Sequence, residues 1–439
     1  MNRDQFSSRL GFILACIGSA VGMGNIWRFP IMISMWGGLN FLIPYALCVL
    51  LIAATGVIAE FALGRSTEGG PIKAFGVCAN ERFGSSLIGR IFGVIPILGS
   101  MALAIGYTVV MGWIIKYTFL ALSGRLHALG GDMDQIGATF GQTATSNATW
   151  IIVAGLASLI IMVFGVSNGI EKANKVMMPL LFFLMLGLTI YVQSLSGARD
   201  GYRYIFTLNP EALKNPLLWL FAFGQAFFSL SIAGNGSVIY GSYLPKTENL
   251  PASARHVAFF DTLSALLAAF LIIPAMAAGG AELNEGGPGL MFIYLVRVLN
   301  QMPGGLIVGM IFYVCVFFAG LSSIINLYEA PVATLQQELK LSRVISTTVI
   351  LVGGVIAAIL IQAITEGWMN VVSIYICPIG ALLAAIFFTW VAGKSFVNRA
   401  VNQGRSKPLG AWYFPLTKYI YCALCLLALI AGAIKGGIG

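Results

Sequence analysis

The sequence predicts an all-α membrane protein with about eleven transmembrane helices, forming a single membrane domain over residues 1–439. Three observations support this fold class. Apolar residues make up 58% of the chain and charged residues only 9%, whereas about a quarter of a soluble protein is charged. Apolar windows of about 20 residues, long enough to cross a bilayer as a helix, recur along the chain. Because apolar residues do not alternate with a period of two, we expect helices and not the strands of a membrane barrel.

The predicted spans follow one another with short polar connections. Five lie in the first half of the chain, at 10–34, 39–60, 91–122, 150–166 and 176–196. Six lie in the second half, at 217–241, 257–280, 305–333, 346–364, 371–395 and 411–434. No soluble insert separates them, so we predict one membrane domain.

The net charge of +9 is explained by membrane orientation and does not predict nucleic-acid binding. With the N-terminus inside, the inner segments carry sixteen Lys and Arg residues and the outer segments six. Cytoplasmic loops carry such an excess of positive charge. We therefore expect an integral membrane protein with the N-terminus inside and, for eleven spans, the C-terminus outside.

Two spans carry small and polar residues at mid-membrane depth. Span one contains the stretch 18–25 and span six the stretch 229–236. The stretches lie five helices apart. Because five is an odd number of membrane crossings, the second stretch has the opposite orientation in the membrane, as in transporters with inverted repeats and broken helices. We expect a first five-helix repeat within 1–196, a second inverted repeat within 217–395, and an extra helix at 411–434.

An alternative interpretation is that glycine and serine in these stretches only allow membrane helices to pack closely. A functional role is favoured because both stretches place polar side chains where an unpaired polar group is costly. Gly234 and Asn235 are also adjacent poor helix formers. Unwound backbone at this depth presents carbonyl groups to a cation and N–H groups to a carboxylate.

Asp261 is the most informative polar residue outside these two stretches. An ionisable side chain one or two turns inside a membrane helix is a candidate functional residue. The alternative is a residue near the cytoplasmic end of its helix that still contacts water. Other polar residues of the spans could face the same cavity: Tyr45, Tyr107, Gln225, Ser322 and Ser323.

The chain resembles the neurotransmitter:sodium symporter family. The resemblance is carried by RLGFILA at 9–15 and GMGNIWRFP at 22–30, and it continues through shorter matches at 64–65, 107–113, 224–231 and 319–323. It covers essentially the whole chain. It implies a LeuT-like fold, in which two inverted five-helix repeats contain discontinuous helices 1 and 6.

The resemblance implies two sodium ions, bound by oxygen atoms as a hard cation requires. The expected ligands of sodium site one are Ala20, Asn25, Ser229 and Asp261, together with the substrate carboxylate. The expected ligands of sodium site two are Gly18, Val21, Ala319, Ser322 and Ser323.

The implied substrate is an amino acid zwitterion. Its carboxylate is expected at the Met23 and Gly24 amides and the Tyr107 hydroxyl, and its ammonium at the Ala20, Phe228 and Ser229 carbonyls and Ser231. Gly22 stands where family members that carry amines without a carboxylate tend to have aspartate. Ala233, Gly234 and Asn235 replace the family's bulky residue between two glycines, which predicts an enlarged pocket and a large side chain, although Asn235 could refill that volume or bind the substrate.

The resemblance also places Asp261 in the region where chloride-dependent members have a neutral residue. The matching positions around it are Tyr45, Gln225, Ser229 and Ala265. We therefore expect transport to be independent of chloride, with Asp261 neutralising the first sodium ion and becoming protonated on the empty return.

Both gates depart from the family pattern. The outer gate would pair Arg28 with an acid of span ten, but the matching position is Met369, beside Asn370, and Glu366 lies one turn earlier. On the cytoplasmic side, Arg3 would pair with an acid near Gln337, the nearest being Glu338, and Phe6 would plug the path.

The predicted function is sodium-coupled import of a large neutral amino acid, aliphatic or aromatic, by alternating access. The alternatives are sodium-coupled transport of an organic osmolyte or amine, and a non-transporting sensor on the same fold. An enzyme is not expected, because the spans contain neither a GxSxG motif nor a His-containing dyad. The expected partners are the substrate and membrane lipid, without nucleic acid, and the sequence leaves the oligomeric state open.

Overall fold

The computed structural model describes residues 5–232, 236–280 and 289–436, and these ranges contain helices and no strands. In chain order the α-helices are α1 (Arg9–Ala20), α2 (Phe29–Trp36), α3 (Gly38–Ile52), α4 (Ile58–Thr67), α5 (Pro71–Phe83), α6 (Leu87–Leu122), α7 (Met133–Thr145), α8 (Ala148–Met162), α9 (Lys172–Gln193), α10 (Ala198–Phe206), α11 (Pro216–Ser229), α12 (Gly236–Ser242), α13 (Leu250–Ala278), α14 (Leu295–Gln301), α15 (Gly305–Glu338), α16 (Arg343–Ile361), α17 (Thr365–Val371), α18 (Cys377–Ile386), α19 (Gly393–Asn402), α20 (Tyr413–Pro415) and α21 (Cys422–Lys435). Seven π-helical segments adjoin them, at Gly24–Arg28, Ala53–Val57, Val166–Glu171, Leu290–Tyr294, Val372–Ile376, Phe387–Val391 and Leu416–Tyr421.

The predicted helical membrane fold is confirmed. Among the described residues, seven helices are long and apolar enough to cross a membrane, or nine if each of two bent pairs counts as one span. One of the seven, Arg343–Val391, is 49 residues long and includes the predicted spans 346–364 and 371–395. The number eleven stays a prediction.

The first helix is interrupted where the sequence predicts. Helix α1 ends at Ala20, and a π-helical segment begins at Gly24 and continues into α2. The axes before and after the break differ by 49°. Gly22 and Gly24 are poor helix formers, so the helix is weakest here and the backbone leaves its regular course.

The second break separates α11, which ends at Ser229, from α12, which begins at Gly236. Ser231 lies within it at φ +57°, a left-handed conformation that is uncommon for residues other than glycine. Ala233, Gly234 and Asn235 lie outside the described residues.

Both breaks lie in the centre of the helix bundle. Helix α1 packs against α9, α13 and α15, while α11 packs against α3 and α12 against α4. Helix α15 also packs along the length of α6. The free ends of the broken helices therefore face α13 and α15, which carry Asp261 and Ser322–Ser323.

Candidate functional site

Asp261 is held by polar side chains from both broken helices. Its carboxylate accepts hydrogen bonds from Asn25 Nδ2 at 2.7 Å and from the Ser229 hydroxyl at 2.8 and 2.9 Å. Asn25 also donates to the Asp261 carbonyl at 2.9 Å. Asp261 is 0% exposed, so the alternative of a water-exposed residue near the end of its helix is wrong. Three of the four predicted ligands of sodium site one thus meet, and the fourth, Ala20, is the last residue of α1.

Two further residues extend this cluster. The Tyr45 hydroxyl lies 3.4 Å from both Ser229 Oγ and Asp261 Oδ2. Gln225 donates from Nε2 to the Gly24 carbonyl at 3.0 Å, while its Oε1 is buried without a hydrogen bond. Among the described residues, no Lys or Arg forms an ion pair with Asp261, so the charge of an ionised carboxylate here has no protein counterion in that part of the chain.

The end of α1 lies directly against Ser322 and Ser323 on α15. A methyl group added to Gly18 would lie 3.3 Å from Ser322 Cβ, and one added to Gly22 would lie 2.1 Å from Ser323 Oγ. Both serine hydroxyls donate to the Ala319 carbonyl at 3.0 Å. The predicted ligands of sodium site two therefore face one another across the α1–α15 contact.

Asn174 on α9 also faces this second group and is absent from the sequence prediction. It is buried, and its Oδ1 atom lies 1.9 Å from where a Gly18 methyl group would be, without a hydrogen bond. Its Nδ2 donates to the Ile170 carbonyl at 2.9 Å. Asn174 lies two residues before the predicted span 176–196, so it did not register as a polar residue inside a span.

A central cavity of about 30 Å³ lies beside both groups, which is close to the volume of one water molecule. It is lined by Ser19, Ala20, Gly22, Gly24, Leu103, Tyr107, Phe228, Ser229, Ser231, Ser323, Asn326 and Leu327. Eight of the predicted substrate- or sodium-binding residues are in this wall, and Ser19, Leu103, Asn326 and Leu327 are additions.

Ser231 links the two broken helices at this cavity. Its hydroxyl donates to the Ser19 carbonyl at 2.6 Å. Ser19 is the residue before the end of α1, and Ser231 lies two residues beyond the end of α11. The helix ends that provide unpaired carbonyls are thus tied to each other next to the cavity.

At the predicted outer gate, Arg28 contacts an aromatic ring and no acid. Its guanidinium carbon lies 4.8 Å from the centre of the Phe228 ring, a cation–π contact. In the described ranges Arg28 forms no ion pair, and its Nε is buried without a hydrogen bond. Glu366 is exposed, and Met369 packs against Gly106 one residue before Tyr107.

At the cytoplasmic gate, Phe6 packs edge-on against Phe12 and Tyr240, with ring centres 5.4 and 5.6 Å apart. Glu338, the predicted partner of Arg3, forms an ion pair with Arg90. Arg3 lies outside the described residues, so its pairing stays a prediction.

A buried acid that the sequence prediction missed lies deeper at this end. Glu329 accepts two hydrogen bonds of 2.7 Å from the Arg343 guanidinium and one of 2.6 Å from the Tyr243 hydroxyl. Glu329 is an ionisable residue inside the predicted span 305–333, which is a signal that could have found it. Its pairing could not be predicted, because its partners come from two other segments.

The start of α1 is also tied to the bundle. Glu171 accepts hydrogen bonds of 2.7 Å from both the Ser7 amide and the Ser7 hydroxyl, and one of 2.8 Å from the Ser8 hydroxyl. Arg9 pairs with Glu248 at 3.2 Å. These contacts and the Phe6 packing hold the start of the first helix against its neighbours, at the end predicted to be cytoplasmic.

Two interrupted membrane helices that meet at buried oxygen atoms define a secondary transporter. The sequence model of the Sodium:neurotransmitter symporter family matches residues 3–129 and 131–436, and the chain belongs to this family.

Similar proteins agree with this assignment. The chain is 31% identical to an uncharacterised sodium-dependent transporter of Methanocaldococcus jannaschii, over 94% of this chain and 87% of that protein. It is 26% identical to the mouse (Mus musculus) sodium-dependent neutral amino acid transporter B(0)AT3, over 76% of this chain and 67% of that protein. Among solved structures, MhsT in complex with L-phenylalanine matches with a TM-score of 0.85 and 31% identity, over 98% of this chain and all of that one. The protein is thus a sodium-dependent symporter and not an enzyme.

Proposed function

We propose that this symporter imports a large neutral amino acid with two sodium ions, by alternating access and without chloride. The observation that carries the proposal is the convergence of both broken helices on Asp261 and on the central cavity. Carbonyl-bearing ends of α1 and α11 attract cations, and the amide-bearing start of the segment at Gly24 attracts a carboxylate.

Sodium site one uses the Asp261 cluster. Asn25, Ser229 and Asp261 offer oxygen atoms within one buried group, and Ala20 offers a carbonyl at a helix end. A sodium ion there supplies the positive charge that Asp261 lacks from the described residues. Because the acid is resident in the protein, a chloride ion is not needed to balance this sodium ion.

Sodium site two uses the contact between α1 and α15. In the described ranges the hydroxyls of Ser322 and Ser323 each bond to the Ala319 carbonyl of their own helix, and they can turn toward a cation. The Gly18 and Val21 carbonyls lie at the end of α1, where helix carbonyls lack intrahelical partners.

The amino acid occupies the central cavity with its backbone groups toward the helix breaks. The amides of Met23 and Gly24 stand at the start of a helical segment, where N–H groups have no intrahelical acceptor, and Tyr107 lines the same wall. Gly22 has no side-chain carboxylate, so the carboxylate at this position comes from the substrate. The likeness to a neutral amino acid transporter and to a structure with bound L-phenylalanine supports a neutral, large side chain.

The gates close on either side of this cavity. Phe6 with its aromatic neighbours blocks the cytoplasmic path, and Arg28 over Phe228 covers the other side of the cavity. The charge distribution supports a bacterial inner-membrane protein with the N-terminus inside.

Thermal stabilisation of the purified protein by each common amino acid, in sodium and in potassium, tests this proposal. A ligand of the folded state raises the melting temperature. We expect large neutral amino acids to do so in sodium only. Stabilisation by amines or betaines and by no amino acid would favour an osmolyte or amine transporter, and binding without uptake into vesicles would favour a sensor.

A further inference from the structure

Asn326, in the wall of the central cavity, has a side-chain amide whose oxygen accepts no hydrogen bond from the described residues. It lies on α15, three residues beyond Ser323 and therefore on the same face of the helix. Its side chain lines the cavity, it is 2% exposed, and its Oδ1 atom is buried without a hydrogen bond in the described structure. Buried polar atoms in folded proteins almost always have a partner.

The hydroxyls of three serines in this wall are already engaged. The hydroxyl of Ser229 donates to Asp261, that of Ser231 to the Ser19 carbonyl, and that of Ser323 to the Ala319 carbonyl. The remaining wall near Asn326 is apolar and comes from Leu103, Phe228 and Leu327. Asn326 is therefore the side chain in this wall with a buried acceptor that has no partner in the described residues.

Gly236, the first residue of α12, leaves room for this amide. A methyl group at Gly236 would lie 2.7 Å from Asn326 Nδ2 and 2.9 Å from Oδ1. A structural explanation is that Asn326 caps the first N–H groups of α12. However, Oδ1 accepts no hydrogen bond, so no described N–H of α12 is capped by it.

We propose that Asn326 determines side-chain specificity by hydrogen bonding to a hydroxyl or ring N–H of the substrate. This inference rests on the proposed amino acid transport and refines it. The substrate class becomes neutral amino acids whose side chain carries a hydrogen-bond donor. A site built around such a bond discriminates against the analogue that lacks the donor, because the buried protein group is then left unpaired.

Pairs of amino acids that differ by one hydroxyl test the inference. Tyrosine and phenylalanine form one pair, and threonine and valine form the other. Each is used to compete with labelled substrate for sodium-driven uptake into proteoliposomes. We expect the wild-type protein to favour the hydroxyl-bearing member of at least one pair by roughly tenfold or more. Asn326→Leu, which keeps the branched shape of the side chain and removes the amide, should abolish that preference.

Leu327→Met is the matched control, since Leu327 lines the same cavity one residue further along. It should change uptake of both members of a pair by the same factor. If Asn326→Leu does not fold, Asn326→Ala removes the same amide and gives the same readout.

Several results would overturn the inference. A wild-type protein without preference in either pair would do so, as would an unchanged preference in both variants. An equal loss for all substrates with a lower melting temperature would assign Asn326 to capping α12. If the wild-type protein binds and transports no amino acid in sodium, the proposed function itself is wrong. This result differs from amino acid transport without preference, which would contradict only the role of Asn326.

Discussion

At the scale of single residues, Asp261 is the residue on which the proposed chloride independence depends. Asp261→Asn keeps the size of the side chain but removes the charge that faces the first sodium ion. We expect uptake by the variant to require chloride and to rise with its concentration, because a mobile anion then replaces the missing carboxylate. Uptake at saturating sodium with gluconate exchanged for chloride measures this.

Wild-type protein in the same chloride series is the control and should give a flat response. Chloride-stimulated uptake by the wild type would contradict the role of Asp261, as would a fully active Asp261→Asn variant that ignores chloride.

Ser323 tests the second sodium site. Ser323→Ala removes one of the proposed oxygen ligands, so the sodium concentration for half-maximal uptake should rise by about tenfold or more. Thr334→Ala is matched to it, because the Thr334 hydroxyl also bonds to a carbonyl one turn earlier on α15, at 2.8 Å, but lies three turns away. An equal sodium dependence in the two variants would argue against the site.

The sequence predicted many of the residues in the site because its signals are local. Polar residues stand out in apolar spans, and the motif at 22–30 is long. Asn174 and Asn326 were missed for a different reason. Each becomes informative only when tertiary packing places its amide against a glycine of another helix, namely Gly18 and Gly236.

At the scale of helices, Ser231 joins the two breaks and holds a left-handed conformation. Ser231→Ala loses the hydrogen bond to the Ser19 carbonyl, which should cost about 1 kcal/mol, and keeps the backbone strain. Ser231→Gly loses the same bond but relieves the strain, which is about 1–2 kcal/mol for other residues. Thermal unfolding in detergent should therefore rank Ser231→Gly above Ser231→Ala.

A reversed order of melting temperatures would show that the conformation at 231 carries no strain. Equal values for wild type and Ser231→Ala would show that the bond to Ser19 does not hold the helix ends together.

The Glu329–Arg343 pair should stabilise the closed cytoplasmic end more than the Arg90–Glu338 pair does. The side chains of Glu329 and Arg343 are 0% and 12% exposed, against 23% and 49% for Glu338 and Arg90. Breaking a buried pair leaves an uncompensated charge and costs about 3–5 kcal/mol, whereas an exposed pair is worth about 1 kcal/mol or less.

We therefore expect Glu329→Ala to lower the melting temperature much more than Glu338→Ala. It should also speed the labelling of a cysteine introduced on the cytoplasmic side of the cavity. Equal effects of the two variants on melting temperature and labelling rate would show that Glu329 has no special role in the gate.

Helix positions were predictable where they depend on apolar length. The predicted span 10–34 corresponds to α1 and α2, and 91–122 lies within α6. The helices α7, α10 and α14 were not predicted, since each is too short to span a membrane and two of them carry many polar residues. The sequence left the acid partner of Arg28 open, and in the described residues Arg28 forms no ion pair, while Glu366 lies exposed in α17.

At the scale of the whole molecule, the structure is closed around a small cavity at the meeting point of both broken helices. Closure on the cytoplasmic side depends on Phe6, Glu171 and Glu329, all of which contact other segments. Under the proposed alternating access, the helices around the cavity rearrange to admit the substrate and its sodium ions.

Uptake into proteoliposomes with an imposed sodium gradient and no other energy source tests sodium-coupled amino acid transport most directly. We predict that a labelled large neutral amino acid accumulates above its outside concentration with sodium outside, and only equilibrates when the gradient is collapsed. Accumulation that is the same in potassium, or no accumulation of any amino acid in sodium, would contradict the account.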